Sequence, residues 1–157
     1  MNERYKQILK NDNYIQIINK IENKEEDRIY CKHDLTHFLD VARIAYIISL
    51  EKNLNINKDL IYAAALFHDA GRVRADKDHD KTGAVIAEPI LRECGYCEEE
   101  IKDIKSAIQG HREKKKGLNT LEELISYADM VSRQCYNCSA KESCYWSNDK
   151  KNTTAYY

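Results

Sequence analysis

Residues 60–67 read Leu-Ile-Tyr-Ala-Ala-Ala-Leu-Phe, and His68 and Asp69 follow at once. Wound as a helix, this run has almost no polar face, so it belongs at the centre of a fold with other elements packed around it. Asn57 is placed to cap its start. Asp59 falls in its first turn, where a negative charge meets the positive end of the helix dipole, and Gly71 is placed to end it. An imidazole and a carboxylate at the base of an apolar helix are costly to bury without partners. A cation such as Fe, Mn, Co, Ni or Zn satisfies both.

The rest of the chain supplies helices to surround that run. One proline and five glycines in 157 residues leave few interruptions and favour long helices over a turn-rich β architecture. Helical spacing runs through 3–22, where Asn11-Asp12-Asn13 is a candidate break, and more clearly through 34–52, where Leu35, Phe38, Leu39, Ala42, Ala45, Tyr46 and Ser49 trace one face. His33 and His37 lie four apart and can look the same way across one turn. After a charged loop over 72–78, a helix is expected from His79 to Cys94, bent or divided at Pro89. Glu98, Glu99 and Glu100 open another, which ends around Gly110-His111. The basic run Arg112 to Lys116, with Gly117, reads as an exposed loop. Thr120 and Glu123 make a capping box for a last helix carrying Leu121, Leu124, Ile125, Ala128 and Val131, with Asp129 inside its apolar stretch. Strand-like alternation is absent. The expectation is an all-α chain: one domain over 1–147 that includes a Cys-rich segment at 135–146, then a flexible tail over 148–157.

Several function classes recede on composition. Lys plus Arg number 25 against 26 Asp plus Glu, so no strong field points to a nucleic acid polymer or an anionic membrane. The N-terminus is polar, without the apolar core of a secretory signal, and no stretch approaches the ~20 apolar residues of a membrane span. The expected location is the cytoplasm, where six cysteines stay reduced unless a metal holds them.

The order of the polar residues carries the functional reading. His37 lies in HFLDVARIAYII, His68-Asp69 in AALFHDAGR and Asp129 in ISYADMVSR. Over roughly 31–134 the chain resembles the HD superfamily of metal-dependent phosphohydrolases, whose signature is a His, then His-Asp, then a distant Asp. His79 in HDKTGAVIAEPIL and His111 in AIQGHREKK fall where the binuclear branches carry extra ligands. The resemblance implies two divalent ions (Fe, Mn, Co, Ni or Mg). One would be held by His37, His68, Asp69 and Asp129, and a second by His79 and His111 with Asp69 bridging. It also implies a small phosphate ester or nucleotide as substrate, attacked by a water that the ions activate. Arg72, just beyond the pair, is a candidate for gripping a phosphoryl oxygen, with Arg112 and Arg133 behind it. His33 is not assigned as a ligand: a partner behind the ligands, a substrate contact and a solvated residue all fit it.

Each residue taken singly has a structural explanation. His37 suits a hydrogen-bonded core histidine, His68-Asp69 a helix end in which a carboxylate orients an imidazole, and Asp129 a buried partner for an arginine such as Arg43. His79 and His111 border charged loops, as surface histidines do. Two other catalytic or binding readings stay open on the same resemblance: a di-iron oxygenase, and a nucleotide-binding or sensory module with little turnover. A third makes the Cys-rich segment the working part. Cys135, Cys138 and Cys144 form C-x-x-C-x5-C, with Cys31 available as a fourth thiol. That set suits a structural zinc, or reduced thiols packed beside Tyr145 and Trp146. An iron–sulfur centre is a further option. Cys94 and Cys97 follow no strand and are read as incidental.

Overall fold

The computed structural model describes residues 3–74, 77–113 and 117–157. Among them, helices run in chain order as α1 (Tyr5–Ile8), α2 (Asp12–Lys24), α3 (Leu35–Glu51), α4 (Lys58–Phe67), α5 (His79–Glu93), α6 (Glu98–Gly110) and α7 (Leu121–Ser132). Short 3-10 turns lie at Ala70–Val73 and Cys135–Asn137. The fold is all-α, as expected, and α4 is its axis. It packs against α1, α3, α5, α6, α7 and the first 3-10 turn. Ile61, Ala63, Ala64, Ala65, Leu66 and Phe67 are fully buried there. None of the described helices is long and apolar enough to cross a membrane.

Local sequence explains most boundaries. Asn11 does interrupt the first segment: its side chain accepts from the backbone N–H groups of Asn13 and Tyr14 and caps α2. Asn57 caps α4 through the Asp59 N–H at 2.8 Å. Asp59 does more than face the helix dipole. It is buried, and it takes the Arg4 Nε at 2.7 Å, the Tyr5 N–H at 2.9 Å and the Tyr96 hydroxyl at 3.1 Å. Arg4 also forks onto Glu100 and lies 4.1 Å from the centre of the Tyr96 ring. This knot ties the chain's start to α4 and α6. The capping box at Thr120 and Glu123 is closed in both directions.

Two expectations are corrected. Pro89 does not divide its helix, since α5 runs unbroken from His79 to Glu93. A proline deprives the carbonyl four residues earlier of its bond. Here that residue, Val85, is 64% exposed, so water can replace the lost donor. Gly71 does not terminate α4 through a left-handed conformation. The helix stops at Phe67, and Gly95 is the glycine with positive φ among the described residues. Gly71 instead serves close approach. A Cβ placed on it would lie 1.8 Å from the His79 carbonyl oxygen and 2.6 Å from the Gly83 nitrogen. The missing side chain lets the turn after Asp69 press onto the start of α5, which sets His79 beside Asp69.

Of the loop over 72–78, Arg72 and Val73 belong to the 3-10 turn, and 75–76 lie outside the described residues. Arg112 is exposed as expected, while Lys114, Lys115 and Lys116 of the basic run also lie outside. Residues 148–157 form no helix or strand, and specific contacts hold them. Asn152 donates to the carbonyls of Met130 and Arg133, and Tyr157 donates to Glu51.

Gly71→Ala is expected to destabilise the protein by at least ~3 kcal/mol, because backbone atoms cannot rotate away from the new methyl as a side chain could. Urea or thermal unfolding reads this directly. An unchanged midpoint would show that the close approach is not needed.

Candidate metal centre

Six polar side chains stand within one turn of a helix end, and the ends point to one place. His37 lies in the first turn of α3, fixed by Asp34, which caps that helix by accepting the His37 N–H at 2.8 Å. His68 follows the last residue of α4, and Asp69 comes next. His79 opens α5, His111 follows α6, and Asp129 sits in the last turn of α7. His68, Asp69, His79 and His111 are all at most 5% exposed, in a helical core.

Asp69 is the meeting point. All five histidines of the chain come within 4.0 Å of its carboxylate. Oδ2 faces His68 Nε2 at 3.3 Å and His37 Nε2 at 4.0 Å. Oδ1 faces His79 Nε2 at 2.8 Å and His111 Nε2 at 3.6 Å. On the Oδ2 side, Asp129 Oδ1 lies 3.2 Å from His37 Nε2 and 3.6 Å from His68 Nε2. Two donor sets result, each with ligand atoms within 4.8 Å of one another: His37, His68, Asp69 and Asp129, and then Asp69, His79 and His111. All six sequence candidates are thus brought together, and the reading of His79 and His111 as surface histidines does not hold.

The donors fit a divalent ion. His68 Nδ1 donates to the Ala65 carbonyl at 2.6 Å, and His111 Nδ1 donates to the Ile108 carbonyl at 2.6 Å. A carbonyl can only accept, so each ring has its proton on Nδ1 and turns the Nε2 lone pair into the site. His37 Nε2 and His68 Nε2 lie 3.3 Å apart and both face carboxylate oxygens. Such a convergence of lone pairs needs positive charge among them. Burial opposes a proton on His68, yet Asp69 and Asp129 overcome it and push its pKa up to about 10. Burial, then Arg133, holds His37 down at about 4. Burial also works against charge on Asp69 and Asp129. Neighbouring His68 and His111 on Asp69, and Arg133 and His37 on Asp129, nevertheless hold both well below the usual carboxylate range. The pocket therefore keeps two carboxylates ionised, a field that suits a cation.

The surrounding charges are arranged differently from the sequence expectation. Arg43 pairs with Asp40 on the exposed face of α3 and does not reach Asp129. Arg133, one turn further along the chain, places Nη2 3.2 Å from Asp129 Oδ1 and is 9% exposed. That four-residue spacing was the readable signal for the pair. Arg72 donates from Nε to Asp69 Oδ1 at 3.1 Å. Arg112 donates outward to the Lys77 carbonyl at 2.7 Å, half exposed. His33, left unassigned by the sequence, is 3% exposed. Its Nδ1 donates to Glu25 Oε1 at 2.7 Å, and its Nε2 points at Asp69 Oδ2 from 3.6 Å. Glu25 also accepts the His33 backbone N–H at 2.8 Å. No periodicity marks Glu25, which ends a helix eight residues away.

The cysteines stand apart from this centre. Cys135 is buried, Cys31, Cys138 and Cys144 are partly buried, and all are free thiols. They are not among the described groups whose ligand atoms converge within 4.8 Å. A cavity of about 650 Å3 also lies away from the centre, beside the α3–α4 connection. Its charged residues Glu3, Arg4, Lys58 and Asp59 are already paired, Glu3 with Lys58 and Arg4 with Asp59.

The HD domain pattern matches residues 34–134, well over half the chain. An uncharacterized protein of Clostridium beijerinckii is 40% identical over 158 residues, covering 99% of each chain. No solved structure matches. The pattern spans His37, His68, Asp69, His79, His111 and Asp129 together, and the chain belongs to the HD-domain family of the metal-dependent phosphohydrolase superfamily.

Proposed function

We propose that this protein is a binuclear phosphohydrolase acting on a small phosphate ester or nucleotide. The observation that carries the reading is the division of Asp69, with Oδ2 turned to one donor set and Oδ1 to the other. Bound ions would supply Lewis acidity, lowering the pKa of a water held between them and offsetting charge on phosphoryl oxygens.

The chain's own residues supply the rest. The Nδ1 bonds of His68 and His111 to helix carbonyls fix which nitrogen each ring offers, so the ligands are set before an ion arrives. Asp69 and Asp129 bring two negative charges and the imidazoles none, so one divalent ion balances the carboxylates and a second leaves the site positive. Arg72 and Arg133 add to that sign. An anionic substrate suits such a field, and a neutral one gains little from it. Arg72 has room for two roles, orienting Asp69 through Nε and offering the rest of its fork to a phosphoryl oxygen. Glu25 fixes the His33 ring through Nδ1 and leaves its Nε2 turned towards Asp69 Oδ2, 3.6 Å away, as a further nitrogen lining the site.

Metal analysis of protein purified without chelator or oxygen, paired with phosphate release from a nucleotide panel, tests the reading. Oxygen uptake without phosphate release would overturn it in favour of the oxygenase alternative. Asp69→Ala is expected to abolish turnover and strip the ions, since both donor sets lose their shared member. Hydrolysis at the parent rate would refute the mechanism. His79→Ala and His111→Ala should each lower the metal content from about two ions towards one. A content unchanged in both variants would mean a mononuclear site. Arg72→Ala is expected to cut kcat by roughly 100-fold while the metal stays. Metal loss at full kcat per bound ion would show that the arginine only holds Asp69.

A further inference from the structure

The segment after α7 has too little apolar burial to account for its order. From Arg133 to Tyr157 it forms one 3-10 turn, Cys135–Asn137. Cys135 and Ala140 are its buried apolar residues, while Tyr136, Tyr145, Tyr156 and Tyr157 are exposed. Irregular chain of this length needs a cross-link where a core is missing.

Four cysteines lie on the two segments that such a link would join, and contacts beside them bring those segments together. Tyr30 donates its hydroxyl to the Ser143 carbonyl at 3.1 Å, and its ring meets Tyr145 edge-on with centroids 6.0 Å apart. These contacts flank Cys144 on both sides and come from the residue just before Cys31. Arg28 fixes the same stretch by donating to the Cys31 carbonyl at 2.8 Å. In the C-x-x-C pair, the Cys138 N–H bonds back to the Cys135 carbonyl at 3.3 Å, a tight turn that folds the two residues together. The Trp146 N–H donates to Cys144 Sγ at 3.5 Å, the kind of amide contact that steadies a metal-bound sulfur.

We infer that Cys31, Cys135, Cys138 and Cys144 form a second metal centre, built from thiolates alone, which cross-links the α2–α3 connection to the C-terminal segment. Every ligand is a thiol, so the metal is a thiophilic one, zinc or an iron–sulfur cluster. Four thiolates leave no open position, and the role is structural. With Zn–S bonds of about 2.3 Å, one zinc would draw the sulfurs closer than they stand. An iron–sulfur cluster spans a wider set.

The full-length protein, purified anaerobically without chelator, tests this by thiol alkylation with mass spectrometry. Cys94 and Cys97, outside the proposed centre, are expected to alkylate readily. Cys31, Cys138 and Cys144, only partly buried, are expected to resist until a mercurial reagent displaces the metal. That displacement should free about one zinc per chain, or about four irons with four sulfides and a loss of visible colour. Either release supports the centre and identifies its metal. Cys138→Ser should lose that metal and keep the metal of the His/Asp site, and Asp69→Ala should do the converse. Should Cys138→Ser fail to fold, the alkylation pattern of the unaltered chain still decides. Equal reactivity of these three thiols with Cys94 and Cys97, or no metal released by the mercurial, overturns the inference.

Discussion

A buried carboxylate sets the terms for everything around it. Asp69 is 2% exposed, and every histidine in the chain has a ring nitrogen within 4.0 Å of it. Concentrating so much polarity in a helical core is unfavourable unless each group finds a partner. Ring protons spent on the Ala65 and Ile108 carbonyls, and Glu25 behind His33, account for the outward sides of three rings. Their inward sides face one another and the carboxylates. The same field that would draw a proton onto His68 draws a cation more strongly, since a cation meets several lone pairs at once.

Helix ends make this arrangement affordable for the fold. A helix interior has satisfied its own backbone and offers a smooth apolar side, whereas its ends have free carbonyls and N–H groups that polar side chains can use. Placing these polar side chains at the ends of α3, α4, α5, α6 and α7 lets the helix bodies remain apolar. The approach of two such ends is then limited by backbone bulk. At the tightest point, between the turn after Asp69 and the start of α5, glycine stands on both sides, at Gly71 and Gly83. The Asp69–His79 contact at 2.8 Å depends on that narrow fit as much as on the charges.

The sequence made the helices and the order of the clustered polar residues legible because both rest on short-range signals. The apolar run of α4, the caps at Asn57 and Thr120, and the order His37, His68-Asp69, Asp129 can each be read within a few residues. What stayed hidden depends on distance in space. Glu25 reaches His33 from the end of another helix, and Arg4 reaches Asp59 across 55 residues of chain. The role of Gly71 was misread for the same reason. A glycine after a helix ordinarily signals a left-handed cap, and only the position of His79 shows that space, not φ, is the constraint. That Pro89 leaves α5 undivided depends on whether Val85 faces water, which helical periodicity alone left undecided.

The C-terminal segment belongs to the support of the metal centre. Asp129 is the least enclosed of the six clustered side chains, 22% exposed on the last turn of α7, where helix carbonyls run out of internal partners. Ser132 Oγ donates to the Asp129 carbonyl at 2.7 Å, and Asn152 donates to the carbonyls of Met130 and Arg133. Tyr156 packs edge-on against Tyr127, two residues before Asp129. Arg133, which grips the Asp129 carboxylate, begins the segment that carries Cys135 and Cys138. The turn that presents Asp129 is therefore finished by side chains from residues 132–156. A tie that holds this segment in place also holds the Asp129 carboxylate, and loosening it would release Asp129 before His68, Asp69 or His79.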